Sequence, residues 1–156
     1  MAAPLAFYDT EKEFEIIPRL FLGNYSCVKN TKADIIVNCT KDLPFPKTMG
    51  RSESLDKICI RLPVDDNGDP KEFFTFVKEA PIVIEKIHEY LMKDKNVLVH
   101  CLAGQQRSCA VVALYLMYKK KMSIQEAVLY IQERKKDAFF YNVNFLPALL
   151  ELDPNI

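Results

Sequence analysis

The sequence predicts an α/β domain: a largely parallel, twisted central sheet flanked by helices. Three observations predict it. Short apolar runs rich in Ile and Val ("ADIIVNCT", "DKICIRLPV", "NVLVHC") have strand length. Segments with helical spacing of apolar residues fall between and after them. The order, strands alternating with helices and then helices, is that of a sheet covered by crossover helices.

Each element follows in turn. "EFEIIPRLFLGN" reads as strand, turn at Pro18, strand, and a stop at Gly23-Asn24. Ile35 to Val37 form a buried strand. "KDLPFPKTMGRSES" carries two prolines, a glycine and serines and reads as loop. "DKICIRLPV" is the next strand and "DDNGDP" a turn. Lys71 to Lys95 read as helix, kinked or divided at Pro81, with Ile84, Ile87 and Leu91 on one face. "NVLVHC" is the most buried-looking strand. "RSCAVVALYLMYKKK" is an apolar helix with a basic end, as the helix dipole favours. "SIQE" is a capping box, in which Ser123 and Glu126 satisfy each other's backbone N–H. Ile124, Ala127, Val128 and Ile131 form the stripe of the helix it starts. "NVNFLPALLEL" closes the chain as a short helix.

Composition narrows the function. At 156 residues the chain suits one domain over 1–156, with its core over about 12–152. Lys plus Arg and Asp plus Glu balance at 21 each, so no net field directs it to nucleic acid or membrane. No basic leader and no run near the ~18 apolar residues of a membrane helix is present. Cys27, Cys39, Cys59, Cys101 and Cys109 are odd in number and lack close pairs. That fits neither a disulfide framework nor a zinc site. The expectation is a reducing compartment, cytoplasmic or nuclear, with no metal and no cofactor.

The chemistry lies in "VLVHCLAGQQRSCA", 97–110. A loop between a buried strand and a helix N-terminus offers free backbone N–H groups and positive potential to an anion. Gly104 permits the tight path. Arg107 adds a planar fork that can hold two phosphate oxygens. Cys101 at the base of that cup would be a charged nucleophile without a base beside it. An isolated cysteine and arginine would read as a buried small residue and a surface cation; here strand, glycine, arginine, hydroxyl and apolar helix fall in one order.

"HCLAGQQRS" matches the H-C-x-x-G-x-x-R-[ST] signature and resembles the cysteine-dependent protein phosphatases, most of all their dual-specificity branch. "IIPRLFLGN", "IIVNCT", "LPVDDN" and "NVNFL" resemble that family's first hairpin, central strand, acid loop and closing element, in the family's order. The resemblance implies the protein-tyrosine-phosphatase-like fold and hydrolysis of phosphotyrosine, phosphoserine and phosphothreonine in a protein substrate. It implies that Cys101 forms a phosphocysteine while Leu102, Ala103, Gly104, Gln105, Gln106 and Arg107 hold the phosphate. Ser108 would ease departure of the sulfur, and His100 would shape the loop. An aspartate after the third strand would be general acid, then base.

Asp65, Asp66 and Asp69 compete for that role. The family's acid is commonly followed by Asn, which places it at Asp66; alternation puts Asp65 and Asp66 on opposite sides. Turn chemistry accounts for the others. Asn142 matches the family's Asn-x-x-Phe-Leu, where Asn braces the loops; it could equally cap the last helix. Cys39 reads as a buried structural thiol. It also ends a strand parallel to that of Cys101 and could trap its sulfur under oxidant. Lys119-Lys120-Lys121 reads as a helix C-terminal charge cluster.

Rival readings are weaker. A Cys–His protease needs a histidine facing the sulfur, and His100 points the other way while His88 lies mid-helix. A nucleophile elbow wants glycine where Val99 stands. Phosphoinositide phosphatases of the superfamily tend to carry loop lysines, and "LAGQQ" has none. The related RNA 5′-triphosphatases usually have Asn and Thr where Gln106 and Ser108 stand. A phosphopeptide-binding relative without catalysis usually lacks the cysteine or arginine, and both are present.

Overall fold

The computed structural model describes residues 12–46 and 57–155. Residues 1–11, and 47–54 of the expected loop, lie outside the described residues.

Strands β1 (Phe14–Ile17) and β2 (Leu20–Gly23) form an antiparallel hairpin. A 3-10 helix, Tyr25–Asn30, leads to β3 (Ile35–Asn38) and then to β4 (Ile58–Arg61). Helix α1 (Pro70–Met92) crosses to β5 (Val97–His100). Helices α2 (Arg107–Lys119), α3 (Ile124–Arg134) and α4 (Leu146–Leu152) follow. The sheet order is β1-β2-β5-β3-β4, and every pairing except β1–β2 is parallel.

The apolar runs explain the layering. All four residues of β3 and of β5 are buried, which requires cover on both faces. Val97 and Val99 face the main core, built with residues from all four α-helices. Leu98 and Ile36 face a smaller cluster with Cys27, Val28 and Ala33 on and after the 3-10 helix. The four α-helices thus share one core, and a short 3-10 helix serves the other face. Truncating Leu98 to Ala would cost about 2–5 kcal/mol through lost transfer and a cavity.

Helix α1 is undivided across 23 residues although Pro81 lies inside it. The division expected as one alternative at Pro81 does not occur. The proline removes one intrahelical N–H, and the stripe Phe76, Ala80, Ile84, Ile87 and Leu91 still packs into the core. Asp69 caps its start, accepting from the Lys71 N–H at 2.9 Å, with Pro70 in the first turn. The capping box of α3 is complete: Glu126 N–H donates to Ser123 Oγ at 3.1 Å and Ser123 N–H to Glu126 Oε1 at 2.8 Å. The Ser123 N–H, then the Ser123 hydroxyl, hold the Glu126 carboxyl below its usual range. Helix α2 is buried continuously from Ser108 to Met117, as its nearly unbroken apolar sequence requires.

Register positions the site. Gly23, His100 and Asn38 pair side by side, so β2, β5 and β3 end at one level. The segment 101–106 leaves the middle of that edge, the carboxyl end of a parallel sheet, where such folds bind ligands.

Candidate active site

The 101–106 segment is fastened from outside by its carbonyls. Leu102 O accepts from Tyr25 N–H at 3.1 Å and Gln105 O from Phe139 N–H at 2.7 Å. Gln106 O accepts from Ala110 N–H at 2.8 Å, and Gly104 O from the Cys109 thiol at 3.3 Å. Among the described residues, no backbone N–H of 102–107 donates to a protein acceptor. Carbonyls turned outward and amides left over is the arrangement of an anion cradle.

Gly104 makes the path possible. Its φ is +70°, and a Cβ there would lie 2.7 Å from Gly23 O and 2.9 Å from Asn24 N. Cys101 sits at the base, buried, its Sγ 3.2 Å from the buried Ser108 Oγ. Arg107 opens α2; its Nη1 donates to the Val64 carbonyl at 3.1 Å, joining the segment to the turn that carries Asp65 and Asp66.

His100 is fully buried and faces away from Cys101, on the side of Tyr25, whose ring centroid lies 6.0 Å away. Its Nδ1 lies 3.2 Å from the Cys101 carbonyl, so that nitrogen carries the proton. Nε2 has no partner among the described residues. Burial, with the charges of Arg61 and Arg107, holds His100 below the usual imidazole range against the opposing bond to Cys101 O. Cys39 N–H donates to His100 O at 2.8 Å, which places Cys39 beside Cys101 at the end of the neighbouring strand. Burial, and then the Cys101 sulfur, push the Cys39 thiol well above its ordinary value. Burial likewise raises Cys109.

The three aspartates are separated by what they touch. Asp69 is engaged in capping α1. The Asp65 carboxylate lies 3.4 Å from Lys41 Nζ. Asp66 is exposed, and Asn144 Nδ2 reaches its two oxygens at 3.2 and 3.1 Å. Asn144 also donates its backbone N–H to Gln106 Oε1 at 2.9 Å, so Asp66 is the one tied by side chains back to the 101–107 segment.

Sequence reasoning missed several supports. Asn142 meets Gln106 through its carbonyl, at 2.6 Å from Nε2, and the cap position of α4 is Phe145, so Asn142 does not cap that helix. Asn144, two residues on in the same "NVNFL", makes the side-chain brace. Buried Glu72 accepts from Asp65 N–H and from Lys41 Nζ, both at 2.9 Å, and so anchors the aspartate turn. The Asp65 N–H, then Lys41, hold its carboxyl below the usual range. A buried pair, Lys135 and Asp137, backs the cradle; Gln105 Nε2 donates to Asp137 Oδ2 at 3.4 Å.

Known proteins share this sequence pattern and fold. The family model for the dual specificity phosphatase catalytic domain matches residues 20–154. Dual specificity protein phosphatase Mpk3 of Drosophila melanogaster is 33% identical over 153 residues, 94% of this chain and 35% of that protein. Human dual specificity protein phosphatase 7 is 33% identical over 150 residues, 89% of this chain and 32% of that protein. The chain thus spans about a third of the length of these curated relatives. The crystal structure of human DUSP28 superposes with a TM-score of 0.77 at 20% identity, covering 92% of this chain and 93% of that one, a likeness of fold. The human tyrosine phosphatase-like serine/threonine/tyrosine-interacting protein superposes at 0.72 with 28% identity, covering 91% and 95%. With the family model spanning most of its length, the chain belongs to the dual-specificity phosphatase catalytic-domain family.

Proposed function

We propose that the chain hydrolyses phosphate monoesters of protein tyrosine, serine and threonine through a phosphocysteine on Cys101. The observation that carries this reading is the Cys101 sulfur, 3.2 Å from Ser108 Oγ, at the base of a segment whose carbonyls are bound outside and whose amides are left over.

In the first step the Cys101 thiolate attacks phosphorus and the ester P–O bond breaks. Asp66 gives its proton to the departing oxygen. The amides of 102–107 and the Arg107 guanidinium hold the three outer oxygens as charge spreads over them. For that, the Arg107 fork need not move far from Val64 O, since one guanidinium offers five donors. In the second step water attacks phosphorus and passes a proton to Asp66. The S–P bond breaks, and the Ser108 hydroxyl donates to the leaving thiolate. His100, buried and held neutral, acts on the cradle through the Cys101 carbonyl and takes no proton in either step.

All five cysteines are free thiols, which suits action in a reducing compartment. The alternative of phosphopeptide binding without hydrolysis draws on the phosphatase-like interacting protein at 28% identity. The presence of both Cys101 and Arg107 favours hydrolysis. The test is release of phosphate from a small aryl phosphate and from peptides bearing each of the three phosphoresidues, under reducing conditions. Turnover blocked by vanadate and abolished by Cys101→Ser supports hydrolysis; binding without any release supports the interaction module.

A further inference from the structure

One side chain in the cradle does something its position alone does not predict. Gln106 is buried, and its amide is fully used: Nε2 donates to Asn142 O at 2.6 Å and Phe140 O at 3.3 Å, while Oε1 accepts from Asn144 N–H at 2.9 Å. It therefore grips the carbonyls on both sides of Tyr141. Phe139 and Tyr141 have φ of 57° and 71°, left-handed backbone that bulky residues avoid. Such conformations persist where surrounding bonds over-determine them. The product of that fold is the position of Asn144, whose Nδ2 reaches both oxygens of Asp66.

We propose that Gln106 and Asn144 are positioning residues that hold the Asp66 carboxyl over the phosphate cradle, so that proton transfer depends on them. The proposal rests on the reading of Asp66 as general acid. Asp66 is exposed on a turn, and an untethered carboxyl there would sample many rotamers. An amide donor suits both steps. It can bond whichever oxygen lacks the proton before the first step, and either oxygen after it. Arg107 to Val64 O is a second tie between the same two loops, but it reaches backbone and leaves the carboxyl free to turn.

The test compares kcat/KM for phenyl phosphate, whose leaving group needs a proton, with that for 2,4-dinitrophenyl phosphate, whose leaving group does not. Asp66→Asn should lose about a hundredfold on phenyl phosphate and little on the dinitrophenyl ester. Asn144→Ala should lose about tenfold on phenyl phosphate and under about twofold on the other. In the Asp66→Asn background, Asn144→Ala and Gln106→Met should no longer change the ratio of the two substrates, because the group they position is gone. Equal loss on both substrates from Asn144→Ala, or full additivity with Asp66→Asn, overturns the proposal and leaves Asp66 as the acid. No leaving-group dependence in Asp66→Asn overturns the acid assignment and the proposal with it.

Discussion

The Ser108 hydroxyl lies 3.2 Å from the Cys101 sulfur, and both side chains are buried. A hydroxyl there can donate to a thiolate and to no solvent. Its help is needed most when sulfur leaves phosphorus, since the bond then returns an electron pair to an atom shielded from water. Ser108→Ala should lower kcat about tenfold or more while kcat/KM changes little. Stopped-flow traces should then show a burst as phosphoenzyme accumulates. Equal loss in both parameters would place Ser108 in the first step.

Gly104→Ala should be the most damaging glycine-to-alanine change among the described residues. The residue is at φ +70°, and the added carbon would lie 2.7 Å from a backbone oxygen and 2.8 Å from a backbone carbon, neither on a flexible side chain. The segment must shift away from Gly23, so turnover should fall at least about a hundredfold. Unfolding in urea should show about 1–3 kcal/mol lost. Normal turnover would mean that the cradle does not depend on this path.

The aspartates should separate by phenotype. Asp69→Ala removes the cap of α1 and should cost about 1 kcal/mol in urea unfolding. It should leave the ratio of rates on good and poor leaving groups as in the unaltered chain. If that ratio changed for Asp69→Ala, the acid would lie four residues from the turn's entry rather than at Asp66.

His100 makes the stability of the fold pH-dependent. Its folded-state value is lowered by burial, so the folded protein keeps it neutral where the unfolded chain takes up a proton. The unfolded state then binds more protons, and stability rises with pH; it is lost as pH falls below the ordinary imidazole value of ~6.5. The slope from this group is at most ~1.4 kcal/mol per pH unit. Between about pH 5 and 6.5, the unaltered chain should lose stability more steeply than His100→Gln in urea titrations. Parallel profiles would show that His100 charges in the folded state.

What could be read from residue order is what depends on near neighbours. The strand before Cys101, the glycine three residues on and the arginine six on are local, and so is the cap at Ser123. The hidden part is long-range. Gln106 reaches residues 34 to 38 positions away, and Asn144 reaches Asp66 across 78. No periodicity announces such contacts, and a glutamine in the cradle reads as one more loop position around the phosphate. Glu72 carries no local signal beyond a charge in a first helical turn, and its role lies in the bond it accepts from the Asp65 N–H. The helix runs on through Pro81 for a physical reason: the missing bond costs about 3 kcal/mol in an isolated helix, and the buried stripe from Phe76 to Leu91 outweighs it.

The central claim is that Cys101 carries the phosphoryl group between the two steps. Acid-quenching the Ser108→Ala protein during turnover of an aryl phosphate, followed by mass spectrometry of its peptides, tests this most directly. One phosphoryl group is expected on the peptide containing Cys101. Turnover with that peptide unmodified, or with the group on another residue, would contradict it.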